Sequence, residues 1–104
     1  MAEMRFDRLF RTANSEGYSL MDGSRRLGRI DLHFTAATVY GTLILEVDRE
    51  EQEILKMIEE IDNGLVLSAE VPREDFLVTV YRGTELGFYS DDYLEEEQGS
   101  ASNN

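Results

Sequence analysis

The sequence predicts a two-layer α+β domain, in which a mostly antiparallel β-sheet carries one main helix packed across one face. Three observations lead to this fold class. Apolar and polar residues alternate in several short segments, Asp22-Gly23 is a strong hairpin signal, and the segment 49–62 has the periodicity of an amphipathic helix. The chain has 104 residues, 41% of them hydrophobic, which suits one domain with its own core. We therefore predict a single domain over 1–90 and a flexible acidic and polar tail over 91–104.

The N-terminal segment 4–13 admits two interpretations. Its apolar residues are spaced three or four apart, as on one face of a short helix: Phe6, Leu9, Phe10 and Ala13. A strand that passes through Phe6 and Phe10 is the alternative. The choice decides whether this segment covers a second face of the sheet.

Three strands are predicted before the main helix. The segment 18–21 leads into the Asp22-Gly23 turn, and the return strand is 27–34. The third strand is 39–47. In 27–34 one face is apolar and the other is charged or polar: Ile30, Leu32 and Phe34 against Arg29, Asp31 and His33.

The main helix is predicted over 49–62. Asp48 is a suitable N-cap residue, and Glu51 follows it three residues later, as in a capping box. One stripe of the helix is apolar and the opposite face is largely acidic, so the apolar stripe should pack on the sheet. The apolar stripe consists of Ile54, Ile58 and Ile61.

Three more strands are expected after the helix. Alternating apolar residues predict a strand over 65–71, which Pro72 should end. The segments 76–82 and 86–90, separated by a turn that contains Gly83, predict a second hairpin.

The formal net charge of −12 limits the classes of partner. The acidic residues are concentrated in 46–62 and 85–97, and such a chain is repelled by phosphate backbones and anionic lipid surfaces. We expect neither direct nucleic-acid binding nor membrane binding. No segment approaches the roughly 20 apolar residues of a membrane span, and the first residues do not resemble a signal peptide. We therefore expect a cytoplasmic protein.

Residues that could carry catalysis are few. The chain has no cysteine, and His33 is its single histidine, so thiolate chemistry and a zinc site made of histidine and cysteine are excluded within one chain. His33 is interpreted as a surface residue beside Arg29 and Asp31. No phosphate-binding loop or EF-hand spacing is present. We predict no cofactor, no metal and no enzymatic activity; an enzyme that uses carboxylates or an oxygen-bound metal ion is the least favoured alternative.

The predicted sheet has more apolar surface than one helix can cover. If the main helix packs on the face that holds Leu43 and Val78, apolar side chains on the opposite face have no covering layer, unless the N-terminal segment folds over them. Together with the polar side chains of the neighbouring strand, these residues form the candidate interaction face: Arg29, Asp31, His33, Tyr40, Ile44, Leu77 and Tyr81. Aromatic residues with a polar border are typical of protein interfaces. The sequence thus predicts a module that binds another protein or a second copy of itself.

The acidic helix supports a different hypothesis. A protein that mimics nucleic acid presents dense, ordered carboxylates to a basic groove, and Glu53, Glu59 and Glu60 are the candidates on the solvent side of the helix. Arg49 and Lys56 dilute this charge. We therefore place this inhibitor hypothesis second.

Overall fold

A computed structural model of the chain, which describes residues 4–69 and 73–92, contains one five-stranded sheet and one helical layer. The strands are β1 (Arg5–Arg11), β2 (Ser15–Asp22), β3 (Arg25–Phe34), β4 (Thr38–Leu45) and β5 (Asp75–Arg82). They lie side by side in sequence order. The helical layer consists of α1 (Glu51–Ile61), a π-helical turn (Asp62–Val66) and a 3₁₀ turn (Leu67–Ala69). The predicted two-layer α+β fold is confirmed.

The sheet is antiparallel except at one edge. The strand pairs β1–β2, β2–β3 and β3–β4 are antiparallel, and β5 pairs in parallel with β4. A parallel pair cannot be closed by a tight turn, because the chain must return to the same end of the sheet. The segment between β4 and β5 makes this return and carries α1 across one face.

The core lies between α1 and the face of the sheet that it covers. Alternate residues of the three central strands point to this face, where they meet the apolar stripe of the helix. Among the described residues, the largest side chains with less than 2% exposure are Leu20, Ile30, Leu32, Val39, Leu43, Ile61 and Val66. Burial of this cluster supplies the main driving force for folding.

The N-terminal segment forms strand β1, so the helix predicted over 4–13 is wrong and its strand alternative is correct. Phe6 pairs with Leu20 and packs against Gly64 on the helical side of the sheet. A bulge between Arg8 and Phe10 shifts the register of β1. That extra residue interrupts the side-chain alternation, so Phe6 faces the helical layer whereas Phe10 lies on the opposite face, beside Gly17.

The strand predicted over 65–71 is also wrong in its described part, because residues 65–69 belong to the π-helical and 3₁₀ turns. Val66 is fully buried, whereas Leu67 is 52% exposed, which reverses the expected alternation. The wider π turn places Val66 beneath the helix in line with Ile61. Residues 70 and 71 lie outside the described part of the chain.

The predicted second hairpin does not form. Strand β5 agrees with the prediction over 76–82, but residues 83–90 have no regular secondary structure. Of the predicted tail, 91–104, only Asp91 and Asp92 are described. Its flexibility therefore stays a prediction.

The main helix is slightly shorter than predicted. It begins after Glu50, which takes the N-cap position in place of Asp48 and forms a capping box with Glu53. Glu51 and Glu53 lie in the first turn, where carboxylates interact favourably with the helix dipole. The helical start is thus set by local side-chain chemistry two residues later than the sequence suggested.

Candidate interaction face

The face of the sheet opposite α1, which we call the open face, brings together the residues singled out in the sequence. Register pairs Tyr40 with His33 on one side and with Leu77 on the other. Two residues further along β4, Thr42 pairs with Asp31 and with Thr79, so these three residues form a polar row across the strands. Beyond it Ile44 pairs with Arg29 and Tyr81. Because side chains alternate along a strand, all of these point to the same side.

Three large apolar side chains of the open face are accessible to solvent. Tyr40 is 49% exposed, Leu77 is 46% exposed and Tyr81 is 57% exposed. Ile44 is half-buried between them. Strand β1 does not cover these residues, since it lies at the other edge of the sheet, beside β2.

Strand β3 forms the polar border of this patch. Arg29 donates a hydrogen bond from Nε to Oδ1 of Asp31 at 2.8 Å, and its guanidinium lies 5.8 Å from the centre of the Phe10 ring. These contacts fix the Arg29 side chain in place. His33 is exposed beside Tyr40. The border therefore offers oriented charge next to apolar surface.

The chain after β5 closes one end of the open face. Glu85 approaches Nη1 of Arg26 at 3.6 Å and Nη1 of Arg29 at 3.9 Å. Ile44 and Tyr81 line the resulting cleft of about 340 Å³. Sequence reasoning missed Glu85, because its partners lie on β3, two strands away from β5.

The acidic surface of the helix is less uniform than a nucleic-acid mimic requires. Glu53 pairs with Arg49 at 3.6 Å, and Glu53 and Glu60 line a groove together with Lys56. Glu59 is exposed. Basic side chains therefore interrupt the carboxylates on this surface.

A second cleft, of about 410 Å³, lies between the β1–β2 hairpin and the end of the helical layer. It brings together polar groups from both layers: Arg8, Arg11, Thr12, Ser15, Glu16, Tyr18 and Ser68. The Tyr18 hydroxyl donates a hydrogen bond to Oε1 of Glu16. The strand interpretation of 4–13 was the signal that could have placed Arg8 opposite Tyr18.

Tyr18 should ionise at higher pH than an ordinary tyrosine. Burial, followed by the hydrogen bond to Glu16 and its charge, raises the pKa of Tyr18, and Arg8 opposes the shift. The unfolded chain then loses this proton first as the pH rises past about 10, so the folded state should lose stability there. Spectrophotometric titration checks this: the tyrosinate signal that Tyr18→Phe removes should titrate above the remaining signal. A signal that titrates with or below the others would contradict it.

The described residues contain neither a cluster of metal-ligating side chains nor a helix that could span a membrane. No three or more Asp, Glu or His side chains within 4–69 and 73–92 are placed to hold a metal ion. No helix in that part of the chain has the length and apolar character needed to cross a membrane.

Comparison with protein-family models, with curated proteins and with solved structures finds no significant match to this chain.

Proposed function

We propose that this chain is a non-enzymatic protein-interaction module and that the open face is its contact surface. The observation that carries the proposal is the exposure of Tyr40, Leu77 and Tyr81, at 49%, 46% and 57%, on one face of the sheet. Clustered apolar side chains that remain accessible with a polar border are characteristic of interaction surfaces.

The composition of the open face suits recognition rather than non-specific adhesion. Aromatic side chains contribute much of the energy of known interfaces, because they bury a large area at a small cost in conformational entropy. The Arg29–Asp31 pair beside them is fixed by its own hydrogen bond. A partner therefore needs an apolar centre and polar groups that meet this pair at the border.

Replacing Tyr40 by lysine tests the proposal. The side chain is half exposed and does not belong to the core, so the fold should survive, while the charge opposes burial in an interface. We expect a partner captured by the wild type from its source lysate to be lost, with at least a tenfold decrease in bound protein. Circular dichroism verifies folding.

The matched control is Leu67→Lys, which makes a similar change at a side chain 52% exposed in the helical layer. It should retain the partner. Equal binding by the wild type and Tyr40→Lys would contradict the proposal.

The salt dependence of the same capture distinguishes the nucleic-acid-mimic hypothesis. An apolar contact is little screened, so a partner of the open face should remain bound at high salt. A partner that is released by salt and is lost from the Glu53→Gln, Glu59→Gln, Glu60→Gln triple variant would favour the acidic surface of the helix instead.

A further inference from the structure

We propose that β5 is a dimerisation edge, which pairs antiparallel with β5 of a second copy of the chain and joins the two sheets into one. The inference deepens the proposed function and rests on it in one respect, since Leu77 and Tyr81 belong both to the open face and to this edge. Three observations carry it: an outer edge with which none of the described strands pairs, the direction of its backbone N–H groups, and a sequence that is complementary to itself in antiparallel pairing.

The two outer strands of the sheet differ in protection. Strand β1 carries several charged residues and a bulge between Arg8 and Phe10, which are common defences of an edge against pairing. Strand β5 has no proline and no bulge, and its residues between Asp75 and Arg82 are uncharged. No strand in the described part of the chain pairs with its outer side. Such an edge is a template for another strand.

Some backbone N–H groups of β5 point to its outer edge, away from β4. Gly83 donates its N–H to the carbonyl oxygen of Leu45 on β4 at 2.9 Å. Successive N–H groups point to opposite edges of a strand, so those of Val78 and Val80 point away from β4. Phe76 shares this direction, and its N–H donates a hydrogen bond to Oδ1 of Asp75 at 2.8 Å.

Antiparallel pairing about a two-fold axis at Thr79 places apolar residues of one copy opposite apolar residues of the other on both faces of the sheet. It places Leu77 opposite Tyr81 of the second copy and Val78 opposite Val80 of the second copy, which are favourable cross-strand pairs. It also brings Asp75, at the start of β5, close to Arg82, at the end of β5 in the second copy. Parallel pairing would instead put equal charges side by side.

The helical layer extends the contact beyond one strand. Asp62 accepts a hydrogen bond from Arg73 at 2.8 Å, which places the side of the helical layer that bears Asp62 toward the start of β5. Leu55 shares this side by helical periodicity and is 57% exposed, and Val80 on the helical face of β5 is 36% exposed. A second copy at the edge would cover apolar side chains in both layers.

Molecular mass in solution tests the proposal first. At about 100 µM, light scattering coupled to size exclusion should give twice the chain mass of 11.9 kDa. Val80→Pro should give the single mass with an unchanged circular dichroism spectrum, because proline removes an N–H that the chain's own ladder does not use. Val80→Lys, an edge charge, should do the same if the proline variant fails to fold, and Leu67→Lys should remain dimeric.

Disulfide formation tests the register. The chain contains no cysteine, so Thr79→Cys introduces a single thiol at the two-fold axis. The Cα atoms of directly opposed residues in an antiparallel pair lie about 4.5–5.5 Å apart, a distance that a disulfide can span. Mild oxidation should link most of the chains of Thr79→Cys, and should link few of Ser24→Cys, in the exposed β2–β3 turn.

A wild-type chain that stays monomeric at this concentration, or a dimer that does not cross-link through position 79, would overturn the inference. Its failure is separable from failure of the proposed function. A monomer that still loses its partner on Tyr40→Lys leaves the open face as the contact surface. If Thr79→Cys cross-links but Tyr40→Lys does not reduce partner binding, the dimer through β5 stands and the open face is not the contact surface for the partner.

Discussion

Replacing Ile61 by alanine is expected to lower the free energy of unfolding by about 2–5 kcal/mol, a large part of the total for a domain of this size. Ile61 is the last residue of α1 and is fully buried against the sheet. Alanine has the higher helix propensity, so the loss reports packing between the layers rather than helix formation. Urea denaturation followed by circular dichroism measures the change.

Leu55→Ala is the matched control for this experiment. It truncates an aliphatic side chain on the same helix, but Leu55 is 57% exposed. We expect a change within about 0.5 kcal/mol for the monomer, as for other surface positions. Equal losses for the two variants would contradict the packing of α1 on the sheet described above.

Replacing Gly28 by alanine is expected to cost about 3 kcal/mol, at the upper end of overpacking penalties. A Cβ atom at this position would lie 2.2 Å from the carbonyl oxygen of Ile44 and 3.1 Å from the Cα of Leu45. Both are backbone atoms of β4, so neither can move aside as a flexible side chain could. The substitution must therefore push β3 and β4 apart at the centre of the sheet.

Gly83→Ala provides the comparison for Gly28→Ala. A Cβ atom at Gly83 meets nothing within 4 Å, and its backbone does not require positive φ. The change should be neutral or stabilising by up to about 1 kcal/mol, since alanine restricts the unfolded chain. Thermal unfolding of both variants checks the pair, and a neutral Gly28→Ala would show that β3 and β4 are farther apart than described.

Elements with a strong local signal were predictable. The Asp22-Gly23 turn fixes the β2–β3 hairpin, because a turn residue with positive φ is needed there and Gly23 has φ 63°. The apolar stripe of 54–61 defines the face of α1 that packs on the sheet. The two-residue alternation of side chains along a strand placed Tyr40 and Ile44 together on one face of β4.

Elements whose conformation depends on distant neighbours were not predictable. The bulge in β1 arises from pairing with β2 and places Phe6 and Phe10 on opposite faces of the sheet, although their four-residue spacing suits one face of a helix. The alternation in 65–69 resembled a strand, but burial of Val66 beneath the helical layer decides its helical form. Glu85 joined the candidate site only because the chain folds back toward β3.

Periodicity and turn chemistry within a few residues were enough to predict the fold class, the position of the main helix and the residues that share a face of β3, β4 and β5. The parallel pairing of β5 with β4, the position of β1 at the opposite edge, and the exposure of Tyr40, Leu77 and Tyr81 are seen in the folded chain alone. Strand neighbours and register depend on which segments exclude water together across the whole sheet. That condition is a property of the packed chain and of no single segment.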